Sequence, residues 1–206
     1  MLGLIGRKVG MTQVFDEKGV LIPVTVIKVE DNYVIGRRTP EKNGYAALVL
    51  AAGAQKPKRI NKPVTGQFTA GVEPKRFIRE SRDAEEDWEP GHKVGVEYFS
   101  GTRMVDIIGA SKGKGYQGVM KRHGFGGGRK THGSKFHREN GGTGMSSTPA
   151  RTFKGVRMAG RMGGDRKTVL NLKVVKIDPE LQVLLVKGAV PGTRDSVVLV
   201  REAVKG

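Results

Sequence analysis

The sequence contains no cysteine, and this absence excludes several kinds of chemistry at once. Disulfide bonds, thiolate metal sites and cysteine nucleophiles all need a thiol. Histidine is also rare: His132 and His137, with His123 upstream, have a finger-like spacing. No cysteine or nearby pair of acids completes a zinc site around them. We therefore expect neither a metal nor a cofactor.

Long apolar segments are missing as well. The longest uncharged apolar run covers residues 48–54, far short of the roughly 20 residues that a helix needs to cross a bilayer. Arg7 and Lys8 place charge too early in the chain for a secretory signal. We expect a cytoplasmic protein with no membrane partner.

Aromatic residues are scarce, at 6% of the 206 residues, and hydrophobic residues reach only 37%. The predicted core is therefore lean for this length. The segment Gly113-Lys-Gly-Tyr-Gln-Gly118 matches the nucleotide-binding pattern G-x-G-x-x-G, with Glu139 about twenty residues on. The glycines at 124 and 126–128 interrupt the helix that a dinucleotide fold needs at this point. The sequence argues against a small-molecule substrate and against an enzyme.

Acidic residues are few in relation to basic ones. The 37 Lys and Arg against 20 Asp and Glu give a net charge of +17 and a pI near 10.3. A compact body with this imbalance repels itself unless a polyanion neutralises it. Nucleic acid, an anionic membrane surface and an acidic protein are the candidates, and a basic surface that serves only solubility is the alternative.

The positive charge is concentrated in residues 111–168. These 58 residues contain 14 Lys or Arg and 2 acids, a net charge of +12, whereas the remaining 148 residues carry +5. The segment also holds 15 of the 31 glycines. Glycine lets backbone approach a ligand closely, and unbalanced charge is typical of segments that a partner orders.

The flanking sequence is typical of short strands, since β-branched runs alternate with Gly and Pro turn signals. Strands are predicted at residues 20–29, 45–51, 94–99, 104–108, 169–177, 182–187 and 197–201. Pro23 suggests an edge strand or a strand start. Residues 74–82 fit a helix or a strand, residues 116–122 a short helix, and the acidic residues 83–87 a solvated loop. Many short strands with little helix favour a closed barrel or a sandwich.

Neither flank has enough strands for a sheet of its own, so we expect residues 1–108 and 169–206 to form one β body. Residues 109–168 are then a basic extension inserted between two strands.

The extension interleaves cations with flat side chains, a pattern that indicates RNA because phosphates attract Lys and Arg while unstacked bases stack on rings. The predicted RNA-binding residues are Lys112, Lys114, Tyr116, Lys121, Arg122, His123, Phe125, Arg129, Lys130, His132, Lys135, Phe136, His137, Arg138, Arg151, Phe153, Lys154, Arg157, Arg161, Arg166 and Lys167. A disordered basic loop whose rings pack on the body is the alternative.

Several stretches closely resemble the bacterial large-subunit ribosomal protein L3 family, in order and over essentially the whole chain. They are Gly3-Leu-Ile-Gly-Arg-Lys-Val-Gly-Met-Thr-Gln13, Ile22-Pro-Val-Thr-Val-Ile27, Lys62-Pro63 with Gly66, Gly71-Val-Glu, Gly109-Ala-Ser-Lys-Gly-Lys-Gly-Tyr-Gln-Gly-Val-Met-Lys-Arg122, Thr131-His-Gly-Ser134, Lys154-Gly, Met158-Ala-Gly160 and Leu184-Leu-Val-Lys-Gly-Ala-Val-Pro-Gly192.

The resemblance implies a mainly β fold, with a six-stranded closed β-barrel of the translation-factor second-domain type and a long, basic, Gly-rich extension. It implies a structural constituent of the large ribosomal subunit that binds large-subunit ribosomal RNA, starts early assembly and neighbours the ribosomal proteins L14 and L19. The extension would reach toward the peptidyl transferase centre, with Gly144, Met145, Ser146, Ser147 and Thr148 at its tip.

The sequence departs from the family in two places. Ser147 stands where many bacterial members have a glutamine that is methylated, so this modification is chemically excluded here. His123-Gly124 replaces a common Trp-Asn pair, which removes a larger stacking surface. The alternatives to a ribosomal role are a general polyanion binder outside the ribosome and a nucleotide-dependent enzyme that uses the 113–118 glycines.

Overall fold

The computed structural model describes residues 2–68, 71–82 and 88–205. It divides into two compact units, Met1–Ala110 with Arg166–Gly206 (unit 1) and Ser111–Asp165 (unit 2). The acidic residues 83–87, predicted as a solvated loop, lie outside the described residues.

The described chain is mainly β, as predicted. Its strands are β1 (Gly3–Phe15), β2 (Leu21–Lys28), β3 (Asn32–Arg38), β4 (Ala47–Ala54), β5 (Lys75–Arg82), β6 (Lys93–Val94), β7 (Met104–Ala110), β8 (Tyr116–Gln117), β9 (Gly160–Arg161), β10 (Arg166–Asp178), β11 (Val183–Lys187) and β12 (Val197–Glu202). Its helices are α1 (Pro40–Asn43), α2 (Lys62–Thr65) and α3 (Val119–His123), with 3-10 turns at Pro57–Arg59 and Val96–Phe99. Within the described ranges, no helix is long and apolar enough to span a membrane.

Six strands of unit 1 close into a ring in the order β1-β12-β7-β10-β11-β2, and every pair in it is antiparallel. The ring takes three strands from each side of unit 2. The strands that enter and leave unit 2 pair directly, with Ala110 at the end of β7 opposite Arg166 at the start of β10. Unit 2 is therefore an insertion between two neighbouring strands.

Strands β11 and β12 of the ring bury every second side chain, and the ring strands share one core. Val105 and Ile107 on β7, Leu184 and Val186 on β11, and Val198 and Val200 on β12 all belong to one buried cluster. A strand alternates its side chains between two faces, so apolar residues at every second position place one face in the core. Burial of a Val or Leu side chain stabilises the fold by roughly 1.5–3 kcal/mol.

A second sheet, in the order β5-β4-β3-β6, was not predicted. Its strand β4 is buried from Ala47 to Gly53. This stretch overlaps the longest apolar run of the sequence, residues 48–54. Leu48, Leu50 and Ala52 join the main core, whereas Val49 and Ala51 face a smaller cluster with Ile35. A strand covered on both faces is apolar throughout, which explains why it lacks the alternation of a ring strand.

Buried polar groups connect this sheet to β1. Gly3–Gly6 pairs with β12, but the pairing of β1 with β2 begins only at Arg7. Ser81 Oγ accepts a hydrogen bond from Gly3 N (2.9 Å), and Asn32 Oδ1 accepts one from Ile5 N (2.8 Å). Buried backbone groups must be paired, and these side chains take the place of a strand neighbour.

Asp106 supports a bulge in the ring. Its carboxylate, 2% exposed, accepts hydrogen bonds from Asn171 N (3.0 Å) and from Arg201 Nη2 (3.2 Å). Asn171 has φ of +54° where the register between β10 and β7 shifts. A buried carboxylate needs such partners, because an unpaired charge in the interior is strongly unfavourable.

One prediction for the body was wrong, and one of two open readings was excluded. Residues 94–99 form only the end of β6 and then a 3-10 turn, because the turn places both Val96 and Phe99 in the core. Of the two readings open for Pro23, an edge strand does not hold, since β2 pairs with β1 and β11, and the proline lies near the start of this strand. Pro23 lies opposite Gln13, one residue before the stretch that pairs with β11, so its missing N–H costs no ladder bond there.

The structure also decides between the alternatives at residues 74–82 and corrects the length of the helix predicted at 116–122. Residues 74–82, for which a helix and a strand were both open, contain strand β5. The helix predicted at 116–122 is shorter, because Tyr116 and Gln117 pair as strand β8 before α3 begins.

Candidate nucleic-acid interface

Unit 2 starts and ends in a narrow two-stranded ladder. Ser111 N donates to Asp165 O (2.9 Å), Lys114 N to Met162 O (2.9 Å) and Met162 N to Gly115 O (3.0 Å). Strands β8 and β9 continue the ladder. Gly163 has φ of +75°, and an added Cβ there would overlap the Lys112 carbonyl. The two ends of the unit are thus held together by backbone hydrogen bonds.

Helix α3 lies next to the outgoing chain of unit 2. It ends at Gly124, whose φ of +75° is the left-handed conformation typical of a helix end. Arg122 Nη1 donates to Met158 O (2.7 Å), and His123 Nε2 lies 3.0 Å from the same oxygen. These two predicted RNA-binding side chains are therefore also internal contacts of the unit.

The glycines after α3 bring two segments into close approach. Gly128 N donates to His137 O (2.9 Å). At Gly127 an added Cβ would lie 2.6 Å from that carbonyl, and at Gly128 it would overlap the Phe136 ring. Only glycine fits at these two positions. Gly127 and Gly128, which were predicted to interrupt the helix, therefore also allow this close packing.

Unit 2 has almost no core. All of its 55 residues are described, and Val119, 2% exposed, is the one that is buried. The unit carries 12 Lys or Arg and 2 acids. Such a segment does not gain enough apolar burial to offset the entropy of ordering its backbone. Its charge and exposure suit a polyanionic partner that covers it.

The predicted cations are spread over this unit, except for two. Arg166 and Lys167 lie in β10, opposite Ala110 and Gly109 of β7. The remaining cations of the set are exposed apart from Arg122, and they lie along the whole length of the unit. This distribution matches a polyanion that is contacted along its backbone rather than at one point.

Some of the predicted aromatic side chains are exposed to solvent. Tyr116 is 78% exposed and Phe153 56% exposed. The Arg151 guanidinium lies over the Phe153 ring at 5.6 Å, and the His123 and Phe125 rings are 6.2 Å apart. Exposed rings with adjacent cations are the groups on which unstacked bases stack.

The predicted tip residues Gly144, Met145, Ser146, Ser147 and Thr148 are all exposed. A turn brings the chain back at this point, since an added Cβ on Gly144 would lie 3.5 Å from Arg151 O. The Thr148–Pro149 peptide bond is cis.

An open cleft in unit 2 includes residues that sequence reasoning missed. It is lined by Tyr116, Val119, Arg138, Glu139 and Met158, among others. Tyr116 and Arg138 were predicted from their type. Val119, Glu139 and Met158 were missed, because neither an apolar residue nor an acid fits a search for cations and rings.

No group of three or more His, Asp or Glu in the described ranges is arranged to hold a metal ion. Of the 113–118 glycines, Gly115 lies in the ladder and Gly118 directly precedes α3, which has only five residues. The pattern Gly-x-Ser-x-Gly occurs at 109–113, but Ser111 Oγ accepts from Asp165 N (3.3 Å) and no strand-to-helix elbow forms. The distinguishing groups of the unit are its cations and its exposed rings.

Comparison with known proteins identifies the family. The family model described as Ribosomal protein L3 matches residues 81–183. The large ribosomal subunit protein uL3 of Borrelia turicatae is 54% identical over 207 residues, covering 100% of this chain and 99% of that protein. The protein of the same name from Treponema denticola is 53% identical over 205 residues, covering 100% and 99%.

The chain belongs to the ribosomal protein L3 family, as the resemblance indicated. It is a ribosomal protein of the large subunit, part of a ribonucleoprotein that acts in translation, and it is located in the cytoplasmic ribosome. The members of this family are structural proteins, so the prediction that the chain is not an enzyme is confirmed.

Proposed function

We propose that the chain binds large-subunit ribosomal RNA directly, mainly through unit 2 and the adjoining residues of the predicted extension, 109–168. The observation that carries this proposal is the combination of 12 cations with a single buried residue in Ser111–Asp165. RNA supplies both the counter-charge and the packing surface that the unit lacks.

The mechanism of this proposal is architectural. Lys and Arg side chains neutralise phosphates of RNA helices that would otherwise repel each other, and exposed rings such as Tyr116 and Phe153 receive unstacked bases. RNA and protein then order each other. No covalent bond is made or broken.

Three finer parts of the proposal are supported by the family resemblance. The body would be a barrel of the translation-factor second-domain type, for which the closed ring is the supporting feature. The protein would bind early and start assembly of the subunit. Residues 144–148 would approach the peptidyl transferase centre, and their exposure leaves them available for RNA.

The proposed protein neighbours, L14 and L19, need a surface that differs from the RNA-binding one. The ribbon formed by β1 and β2 beyond the ring has this character. Met11, Phe15 and Leu21 are exposed on it, and in residues 9–27 its charges are Lys18 against Asp16 and Glu17. An apolar, nearly cation-free surface on a strongly basic protein suits a protein partner rather than phosphates.

The test is a variant that lacks Ser111–Asp165. Ala110 and Arg166 are opposite each other on paired strands, so a Gly-Gly link closes them as a two-residue hairpin. We expect circular dichroism and cooperative unfolding to show a folded body. Affinity for a bacterial large-subunit RNA transcript should fall by about 100-fold or more, because most phosphate contacts are lost.

Equal RNA affinity with and without unit 2 would contradict the proposal. Competition by heparin and by DNA separates it from the alternative of a general polyanion binder. If these competitors displace the intact protein as well as ribosomal RNA does, that alternative is correct.

A further inference from the structure

The cleft of unit 2 is lined by one acidic residue, Glu139, although the unit is strongly basic. The unit has two acids, Asp165 at the base of the ladder and Glu139 in the cleft. The Glu139 backbone N–H donates to Phe136 O (3.0 Å), but its carboxylate has no hydrogen bond or ion pair with any residue in the described ranges. In a unit that faces RNA, a carboxylate repels phosphate unless it meets a hydrogen-bond donor.

The groups around this carboxylate suit a flat, partly polar ligand. The exposed ring of Tyr116 and the apolar side chains of Val119 and Met158 line the cleft, and Arg138 lines it beside Glu139. Gly118 and Gly141 also line it, and neither contributes a side chain that fills the space. A ring, a guanidinium and a carboxylate at one open cleft are the groups that stack a base, hold its phosphate and read its edge.

A carboxylate distinguishes the four bases by the hydrogen-bond donors that they offer. It offers two acceptor oxygens and no donor. Guanine has two adjacent donors on its Watson–Crick edge, N1–H and the N2 amino group, whereas adenine, cytosine and uracil each have one donor group there. Two parallel hydrogen bonds to a charged acceptor are the stronger and more specific arrangement.

We propose that this cleft binds one unstacked guanine of RNA, with Tyr116 as the stacking surface, Glu139 as the acceptor for the Watson–Crick edge and Arg138 near the adjoining phosphate. The inference rests on the proposed function, because it assumes that unit 2 contacts ribosomal RNA. It adds a base-specific contact to a unit that otherwise recognises phosphates and ring faces.

Kethoxal probing tests this directly, since the reagent modifies N1 and N2 of unpaired guanines. The full-length protein is bound to the large-subunit RNA transcript, and guanine reactivities are compared for the wild type, Glu139→Gln and Asp165→Asn. Glutamine offers one acceptor and one donor, so it cannot accept both guanine protons. Asp165→Asn removes the same charge from the other acid of the unit and is the matched control.

We expect the wild type and Asp165→Asn to protect one guanine that becomes reactive with Glu139→Gln. The overall affinity of Glu139→Gln should stay within about threefold of the wild type or increase, because a charge that repels phosphate is removed. Tyr116→Ala should expose the same guanine.

Three results would overturn the inference. If Glu139→Gln keeps every guanine protection, Glu139 does not read a base. If Glu139→Gln instead removes the protection of an adenine or a cytosine, detected with dimethyl sulfate, the cleft binds a different base. If the wild-type protein neither binds the transcript nor protects any nucleotide, the proposed function itself fails, and this outcome is separate from the other two.

Discussion

The side-chain amide of Asn32 forms hydrogen bonds with both backbone groups of Ile5. Asn32 Oδ1 accepts from Ile5 N (2.8 Å), and Asn32 Nδ2 donates to Ile5 O (3.1 Å) and to Glu30 O (2.8 Å). Asn32 is fully buried. One side chain thus pairs β1 of the ring with β3 of the second sheet, at a place where β1 has no strand neighbour on that side.

Replacing Asn32 with alanine should destabilise unit 1 by about 2–4 kcal/mol, since two buried backbone groups lose their partners. Urea unfolding followed by circular dichroism measures the loss. The control is Asn43→Ala at the exposed end of α1, for which we expect a change within about 0.5 kcal/mol. Similar stabilities for both variants would show that water or a shifted backbone replaces the amide.

The Glu80 carboxylate predicts a pH dependence of stability. The hydrogen bond from Tyr45 Oη (2.8 Å), followed by the one from Arg38 Nε (3.1 Å), lowers the pKa of Glu80 from its usual value of 4.5. A lowered pKa stabilises the folded protein above the pKa of the unfolded chain, and this contribution is lost as the pH falls through the lower folded-state pKa.

We therefore expect Glu80→Gln to lower the free energy of unfolding at pH 7, and the difference from wild type to shrink below about pH 4.5. Chemical denaturation at pH 7, 5 and 3.5 measures it. Glu41→Gln in the first turn of α1 removes an equal charge from the same unit and serves as control. A difference that stays constant with pH would contradict the role of the Glu80 charge.

Salt dependence should separate RNA-facing cations from others. Lys130→Ala in unit 2 should reduce the slope of log affinity against log salt by about 0.7–0.9, the value for one lost phosphate contact. Lys18→Ala on the β1–β2 ribbon should leave the slope unchanged, although both lysines are exposed. Filter binding to the RNA transcript between 50 and 200 mM salt, a range in which such contacts weaken strongly, gives the slopes. Equal slopes would show that Lys130 contacts no phosphate.

The β1–β2 ribbon should affect protein neighbours but not RNA. Phe15, 64% exposed, lies opposite Leu21, also exposed, on the two strands. The double variant Phe15→Ser with Leu21→Ser should keep wild-type RNA affinity and lower the occupancy of L14 or L19 in reconstituted large subunits, measured by mass spectrometry. Leu181→Ser changes another exposed leucine, elsewhere in unit 1, and is the control. Unchanged occupancy would contradict a protein-facing ribbon.

Five of the six ring strands were predictable, because their β-branched runs are bounded by Gly and Pro turn signals, whereas β1 was missed. Residues 104–108 and 197–201 were predicted as strands and correspond to β7 and β12. Strand β4 of the second sheet was also predicted, at residues 45–51, but the sheet was not, because β3 was missed and β5 was left open between a helix and a strand. At residues 94–99 a strand was predicted where most of the segment forms a 3-10 turn. The turn places the Phe99 ring in the core.

For the candidate site, residue types alone predicted the cations and rings, but not which of them have contacts within the protein. Arg122 and His123 both contact the Met158 carbonyl oxygen. Glu139 and Val119 were missed because only the folded chain brings them to the same cleft as Tyr116 and Arg138.

The sequence by itself determined the mainly β character, the concentration of charge and glycine in one segment, and the family, because alternation, composition and order of motifs are local properties of the chain. Tertiary structure alone decided that β12 lies between β1 and β7, that Asn32 completes the hydrogen bonding of Ile5, and that a carboxylate and a tyrosine share a cleft. These relationships join residues far apart in the chain. They depend on which surfaces pack together, and this is a property of the whole fold rather than of any segment.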